Sequence, residues 1–499
     1  MKKTLMTILV SGLMLASCSK QEVSDNPLLQ KWDTPFETAP FEKIKVEHYL
    51  PAFEAAIAEH NTEIQAIIDN AEAPTFDNTI AALDYSGETL SKVAGVFFNM
   101  MAANTSEELQ KVNEQVGPMM ATHSDNVSMN AKLFEKIKAV YDAKDSQKYT
   151  GEQLALLEKT YNKFVRSGAL LDAAKQEELR KVNAELTKVE SKFDANLLKE
   201  SKAYQLVIDK EENLKGLPQG EIEKAAALAK QEGKEGKWIF TLDNPSFMPF
   251  VTYADNRDLR KEIFNARVNR CNNGGETDNN ALVAQMSELR AKKAQLLGYE
   301  TFAHYQLEER MAKEPKAVFD LLENLLSYSV KVAKEEAAQF QTMLSKDVPG
   351  AKLEAWDMYY YAEKVRQQKY NFDAELTRPY FEINKVRQGC FDVLTKLYGI
   401  SFTERKDISV YAEDVLAFEA KNEKGEHVGI LYWDPYTRPS KGAGAWCNEY
   451  RGQSRKDGKN ITPIITVCFN YAKSPNGATT LTADEALTVF HEMGHAIHQ

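Results

Sequence analysis

The sequence predicts a mainly helical fold with a small β-sheet set beside the helix that carries its chemistry. Three observations carry this. Across 499 residues there are only 24 Gly and 16 Pro, set among long Ala/Glu/Lys/Leu stretches, a composition typical of helical proteins. Apolar residues recur every three or four positions through most of the chain. Between about 400 and 470 that spacing gives way to strict alternation, the signature of strands.

Taken in order, the chain opens on a segment outside the fold. Lys2 and Lys3 precede an apolar run over 5–16 that is too short to span a bilayer. It ends in Leu15-Ala16-Ser17-Cys18, which is similar to a bacterial lipobox. Residues 1–17 are expected to be a lipoprotein signal peptide, with Cys18 lipid-modified after cleavage and 18–45 a tether and lead-in. The expected location is the periplasm or cell envelope of a bacterium, anchored at Cys18 and touching the membrane only through that lipid.

An amino-terminal helical region follows over 46–237. Its clearest helix carries Leu179, Val182, Leu186, Val189, Phe193 and Leu197 on one face, with Lys, Glu and Arg on the other. A Gly- and charge-rich loop over 233–237 leads into a short apolar run, 238–242, which Asn244-Pro245-Ser246 breaks. The region 238–499 is expected to form a second, catalytic unit, helical to about 398. Tyr359, Tyr360 and Tyr361 fall in one of its helices as expected core.

Leu416, Phe418 and Ala420 alternate, as do Val428, Ile430 and Tyr432, across a turn at 422–425, which predicts a hairpin. Residues 464–469 form a further short strand, with Pro463 at its start where a ladder tolerates it. Between them lies Gly442-Ala443-Gly444-Ala445-Trp446. Small residues there suit close approach of another backbone, and Gly444, Ala445 and Trp446 are candidates for aligning a bound peptide at a sheet edge. A plain turn into a core Trp fits equally well. Cys271, Cys390, Cys447 and Cys468 are widely spaced without a C-x-x-C, so buried thiols are expected rather than a disulfide framework. Pairing of Cys447 with Cys468, both near predicted strands, stays open.

The last element is the most informative. Thr482-Ala483-Asp484-Glu485 reads as a capping box that starts a helix. In that helix stands His491-Glu492-Met493-Gly494-His495. Two His four apart share a helix face and can reach one zinc ion, with Glu492 beside them to take a proton from water. Apolar residues on several sides, from Ala486 to Ile497, suggest a helix buried on several sides. Gly494 suggests close packing against a neighbour. His498 lies about 10 Å along the axis from His491, too far to converge on the same ion. Its presence where the metzincin pattern requires Gly excludes that class. The expected cofactor is one Zn²⁺. A third ligand must come from elsewhere, most simply a carboxylate beyond Gln499. Net charge −11 argues against a nucleic-acid partner.

These motifs together resemble the thimet oligopeptidase family of zinc peptidases, and within it the bacterial peptidyl-dipeptidase branch. The resemblance is carried by residues 491–498 (HEMGHAIH) and Arg438-Pro439-Ser440-Lys441-Gly442-Ala443-Gly444-Ala445-Trp446. It extends to Phe76-Asp77-Asn78-Thr79-Ile80, Ser86-Gly87-Glu88 and Tyr361-Ala362-Glu363-Lys364-Val365-Arg366. It implies a two-lobed helical peptidase with a deep channel for short peptides, zinc on His491 and His495, and a catalytic Glu492. It also implies a third ligand, a Glu, about 25 residues past the signature. The chain is thus expected to be a carboxy-terminally truncated member, inactive alone for lack of that ligand. The expected function of the complete protein is release of dipeptides from the free carboxyl end of short peptides, as a monomer. An internal-cleaving oligopeptidase of the same family, and a non-catalytic peptide-binding lipoprotein, remain the alternatives.

Overall fold

A computed structural model describes residues 25–372, 374–456, 458–475 and 477–499. The signal peptide and Cys18 expected from the sequence lie outside the described residues, as does the Glu expected beyond Gln499. No described helix is long and apolar enough to cross a membrane.

Helices dominate, as composition predicts. Among them are Tyr49–Asp69, Glu88–Ala103, Glu107–Ser128, Ala173–Ala203, Pro315–Asp347, Ile383–Tyr398 and Ala483–His498. The Ala173–Ala203 helix buries Leu179, Val182, Leu186 and Val189 as its spacing requires. One stretch read as helical is not. Leu206–Ile208 is a strand, β1, antiparallel to β2 (Trp238–Phe240). The β-branched Val207 and Ile208 suit the pleat, but the pairing partner lies some thirty residues on, outside any local window. Of the tyrosine triplet, Tyr360 and Tyr361 are buried while Tyr359 is exposed, because only one side of Met358–Tyr370 faces a neighbour.

The remaining strands are β3 (Ser401–Glu404), β4 (Leu416–Lys421), β5 (His427–Tyr436), β6 (Trp446–Arg451), β7 (Ser454–Lys456), β8 (Lys459–Ile461) and β9 (Ile464–Tyr471). Five form one mixed sheet in the order β3-β4-β5-β9-β6. The predicted hairpin is β4–β5; β5 and β9 run parallel, and β6 closes the edge antiparallel to β9.

Helices cover both faces of this sheet, so alternating residues enter two different cores. Ala417, Ile430, Tyr432, Tyr450 and Ile464 pack with Phe53, Val93 and Phe97 from the amino-terminal helices. Phe418, Leu431, Trp433, Ile465, Val467 and Phe469 pack with Cys390 and Phe391 of Ile383–Tyr398 and with Val489 and Met493 of Ala483–His498. The same alternation settles the cysteine question. Cys447 opposes Val467 and Cys468 opposes Trp446, so the two thiols sit on opposite faces and cannot meet the geometry of a disulfide. All four described cysteines are free.

The sheet also places the last helix. Tyr471, at the end of β9, donates from its hydroxyl to the Glu485 carbonyl at 2.9 Å. The connecting segment is held by the Ile383 amide on the Thr479 carbonyl and the Leu481 amide on the Phe381 carbonyl.

Candidate metal centre

The capping box forms as read: Thr482 accepts from the Glu485 amide, and the Glu485 side chain accepts from the Thr482 amide. The helix then runs Ala483–His498. Its inner side, Ala486, Val489, Met493 and Ala496, is buried on the sheet.

Among the described residues the helix is buried on one side, not on several. Leu487 is 66% exposed and Phe490 41%, and His491, Gly494, His495 and His498 are exposed with them. These residues form one stripe along the helix, opposite the sheet. Gly494 lies on that stripe, and a Cβ added there would meet nothing within 4 Å. Among the described residues none packs close to it.

His491 and His495 share the stripe, with their Nε2 atoms 3.2 Å apart and their rings nearly perpendicular at 4.9 Å. Two imidazoles on a tetrahedral zinc at 2.0–2.1 Å would hold their nitrogens about 3.3 Å apart. The donor pair therefore fits zinc. Among the described residues no third His, Cys, Asp or Glu joins the pair. His498, one turn on and exposed, is not brought into it.

Glu492 stands at the edge of the stripe, rotated toward the sheet and only 6% exposed. Burial pushes its carboxyl above the usual carboxylate range, against the opposing pull of His491 and His495. Cys447 on β6 lies close by; its thiol is pushed up to about 12, first by burial and then by the nearby Glu492. Cys447 also donates from Sγ to Gln499 Oε1 at 3.4 Å, so β6 flanks the helix that carries the pair.

The Gly-Ala loop leads directly into β6, the sheet's edge strand. Ala443 and Gly444 are exposed, while Ala445, Trp446 and Cys447 are half-buried. Gly444 has φ +96°, a conformation that L side chains rarely adopt. On the other flank the Glu88–Ala103 helix comes close enough that a Cβ on Gly95 would lie 2.8 Å from the Tyr450 carbonyl. Asn99 donates to the Glu449 carbonyl at 2.9 Å.

Sequence reading missed a buried ionic cluster at the root of this loop. Asp434 and Lys441 are both fully buried, with Lys441 Nζ 2.9 Å from Asp434 Oδ1. Arg438 donates to both oxygens of the same carboxylate, at 2.8 and 2.6 Å, and Tyr411 donates its hydroxyl to Oδ2 at 2.8 Å. Two cations and a phenol on one carboxylate satisfy what burial would otherwise make costly. The available signal was an Asp closing the apolar run Ile430-Leu431-Tyr432-Trp433, with basic residues four and seven positions later.

A histidine pair at zinc-chelating separation with a buried carboxylate one residue on, on a helix flanked by an edge strand, suits a metal-dependent hydrolase. Comparison with known proteins agrees. The sequence profile of peptidase family M3 matches residues 250–499. A dipeptidyl carboxypeptidase of Escherichia coli (strain K12) is 34% identical over 475 residues, covering 95% of this chain and 70% of that protein. Oligopeptidase A of the same organism is 32% identical over 482 residues, with the same shares covered. A thimet-like oligopeptidase of Dictyostelium discoideum is 25% identical over 472 residues, 91% of this chain and 68% of that protein. The chain belongs to peptidase family M3, and it is a metallopeptidase.

Proposed function

We propose that the protein is a zinc peptidase that removes dipeptides from the free carboxyl end of short peptides. The observation that carries the chemistry is the histidine pair at zinc-chelating separation with Glu492 buried beside it. The similarity to a dipeptidyl carboxypeptidase over 95% of the chain supports the specificity. Similarity to oligopeptidase A keeps internal cleavage as the second reading.

His491 and His495 would hold the ion. Zinc, when bound, supplies Lewis acidity that polarises a carbonyl and acidifies water. Glu492 accepts the proton from the attacking water and returns it to the leaving amine; its raised affinity for protons suits both halves of that task. The exposed loop at Gly444, Ala445 and Trp446, running into edge strand β6, would align the substrate backbone. The third ligand expected beyond Gln499 would complete the coordination.

Two substrates and one variant test this. A hexapeptide with a free carboxyl end should lose dipeptides in sequence, and the same peptide amidated should be spared. Cleavage of the amidated peptide at internal bonds would favour the oligopeptidase reading. Glu492→Gln should lower turnover by about 10²–10⁴-fold while zinc stays bound; undiminished turnover would remove Glu492 from its role. Full-length protein that neither binds zinc nor cleaves peptide would leave only the peptide-binding reading.

We further infer an exported, monomeric lipoprotein carried by the lipid on Cys18, acting on short peptides and not on nucleic acid. Cys18→Ala should move the protein from the membrane to the soluble fraction. Unchanged membrane association would refute the anchor.

A further inference from the structure

Asn470, near the end of β9, points its amide at the Gly-Ala loop. Its Nδ2 donates to the carbonyls of both Gly442, at 2.8 Å, and Gly444, at 2.7 Å. Two carbonyls two residues apart converge on one nitrogen only if the chain curls, and the positive φ of Gly444 supplies that curl.

The root of the loop is held separately. Lys441 donates to the Asp434 and Tyr436 carbonyls, both at 3.0 Å. The Gly442 amide donates to the Ala102 carbonyl, and the Thr105 amide to the Ser440 carbonyl. Beyond that root the chain reads Ala443-Gly444-Ala445, with no large side chain to pack and fix its course. There the Asn470 amide spans the segment, between an anchored root and an edge strand that flanks the histidine-pair helix.

We propose that Asn470 is a positioning residue for peptide binding: its amide fixes the course of residues 442–445, so that an extended substrate backbone meets a preformed edge. This rests on the peptidase reading above. The reason is entropic, since a loop already ordered spares the bound peptide the cost of ordering it.

Asn470→Asp keeps the size and shape but turns carboxylate oxygens toward two carbonyls. Asn470→Ser, which only removes the amide, covers the case in which the charge disturbs folding. Both are compared with the unaltered protein by backbone amide exchange over 440–447, calorimetric affinity for an alanine hexapeptide with a free carboxyl end, KM and kcat, zinc content and Tm. The expected result is exchange about tenfold faster at 444–446 and Kd and KM raised roughly tenfold. Over the same comparison kcat should stay within about threefold, with zinc content and Tm unchanged. Unaltered exchange and affinity in both variants would overturn the proposal. So would an affinity loss that merely tracks a matching fall in Tm and zinc, which marks a general structural role. If the unaltered protein binds and cleaves peptide and the variants match it, only the positioning role fails. All variants are made in the full-length protein; if that protein, unaltered, binds neither zinc nor peptide, the peptidase reading fails and takes this proposal with it.

Discussion

Two histidine pairs in this molecule bring ring nitrogens within hydrogen-bonding distance, in very different surroundings. His491 and His495 come from one helix, lie exposed, and hold their Nε2 atoms 3.2 Å apart beside a buried carboxylate. His60 and His123 come from two helices, with His60 Nδ1 2.8 Å from His123 Nε2, and His123 is buried. The second pair is a hydrogen bond with its protons assigned by its surroundings. Ser86 donates its hydroxyl to the Leu83 carbonyl, so it must accept from His60 Nε2–H. That leaves His60 Nδ1 as the acceptor for the His123 proton. In the first pair two lone pairs can converge on an ion; in the second a proton already occupies the space between the nitrogens. Proximity of two imidazoles therefore does not define a metal site. A shared helix face, with both Nε2 lone pairs free to converge beside a carboxylate, is what suits His491 and His495 to the proposed ion.

The sharpest way to break this comparison is to remove one histidine from each pair. His495→Ala should weaken zinc binding by more than about 100-fold, beyond the 10–100-fold typical of changes to outer partners. His123→Ala should leave zinc affinity as it was. Titration with a chromophoric chelator reads both, and zinc retained by His495→Ala would dissolve the distinction.

Stability should respond the other way round. His123→Leu leaves the half-buried His60 Nδ1 without its donor and should cost about 1 kcal/mol, seen as a lowered Tm. His495→Ala, on the exposed stripe, should leave Tm of the metal-free protein nearly unchanged. Equal losses in both would show that the buried pair has no special structural weight.

Acid sharpens the contrast further. Burial holds both His60 and His123 below the ordinary histidine range; Glu63 opposes this at His60, while Lys163 reinforces it there and His60 reinforces it at His123. A folded-state pKa below the unfolded value favours the neutral ring in the native protein. The stabilisation is then present above the unfolded pKa of about 6.5 and lost as pH falls beneath it. Tm should decline from about pH 6.5 downward, and the double variant His60→Gln, His123→Gln should flatten that slope. A slope that persists unchanged would place its source elsewhere.

The smallest effect belongs to Gly494. With nothing among the described residues within 4 Å of its missing Cβ, Gly494→Ala should stabilise the histidine-pair helix by up to about 1 kcal/mol and leave zinc affinity intact. A loss of stability would show that a contact reaches the stripe after all.

Much of the site was legible because its logic is local. The Thr482–Glu485 box, the four-residue spacing of His491 and His495, and the β4–β5 hairpin each span a few residues, and each is present. The family resemblance, carried by residues 491–498 and 438–446 among others, holds over 95% of the chain. What was missed depends on distant partners. Leu206–Ile208 became a strand because Trp238–Phe240 came to pair with it. Asp434, Arg438 and Lys441 look like ordinary charges until the fold buries them on one another. Asn470 looks like a strand-end Asn until the loop curls over it. The histidine-pair helix was read as buried on several sides because apolar composition records hydrophobicity and not which side meets a neighbour.

The sequence by itself determined the helical class, the start of the last helix, and the pairing of two imidazoles with a carboxylate, because i, i+4 spacing and capping are properties of one helix alone. Tertiary structure decided which side of that helix meets the sheet, that the sheet is buried on both faces by two separate cores, and that Asn470 reaches two carbonyls at once. Those depend on contacts between segments tens to hundreds of residues apart. Only the packed chain brings them within hydrogen-bonding distance.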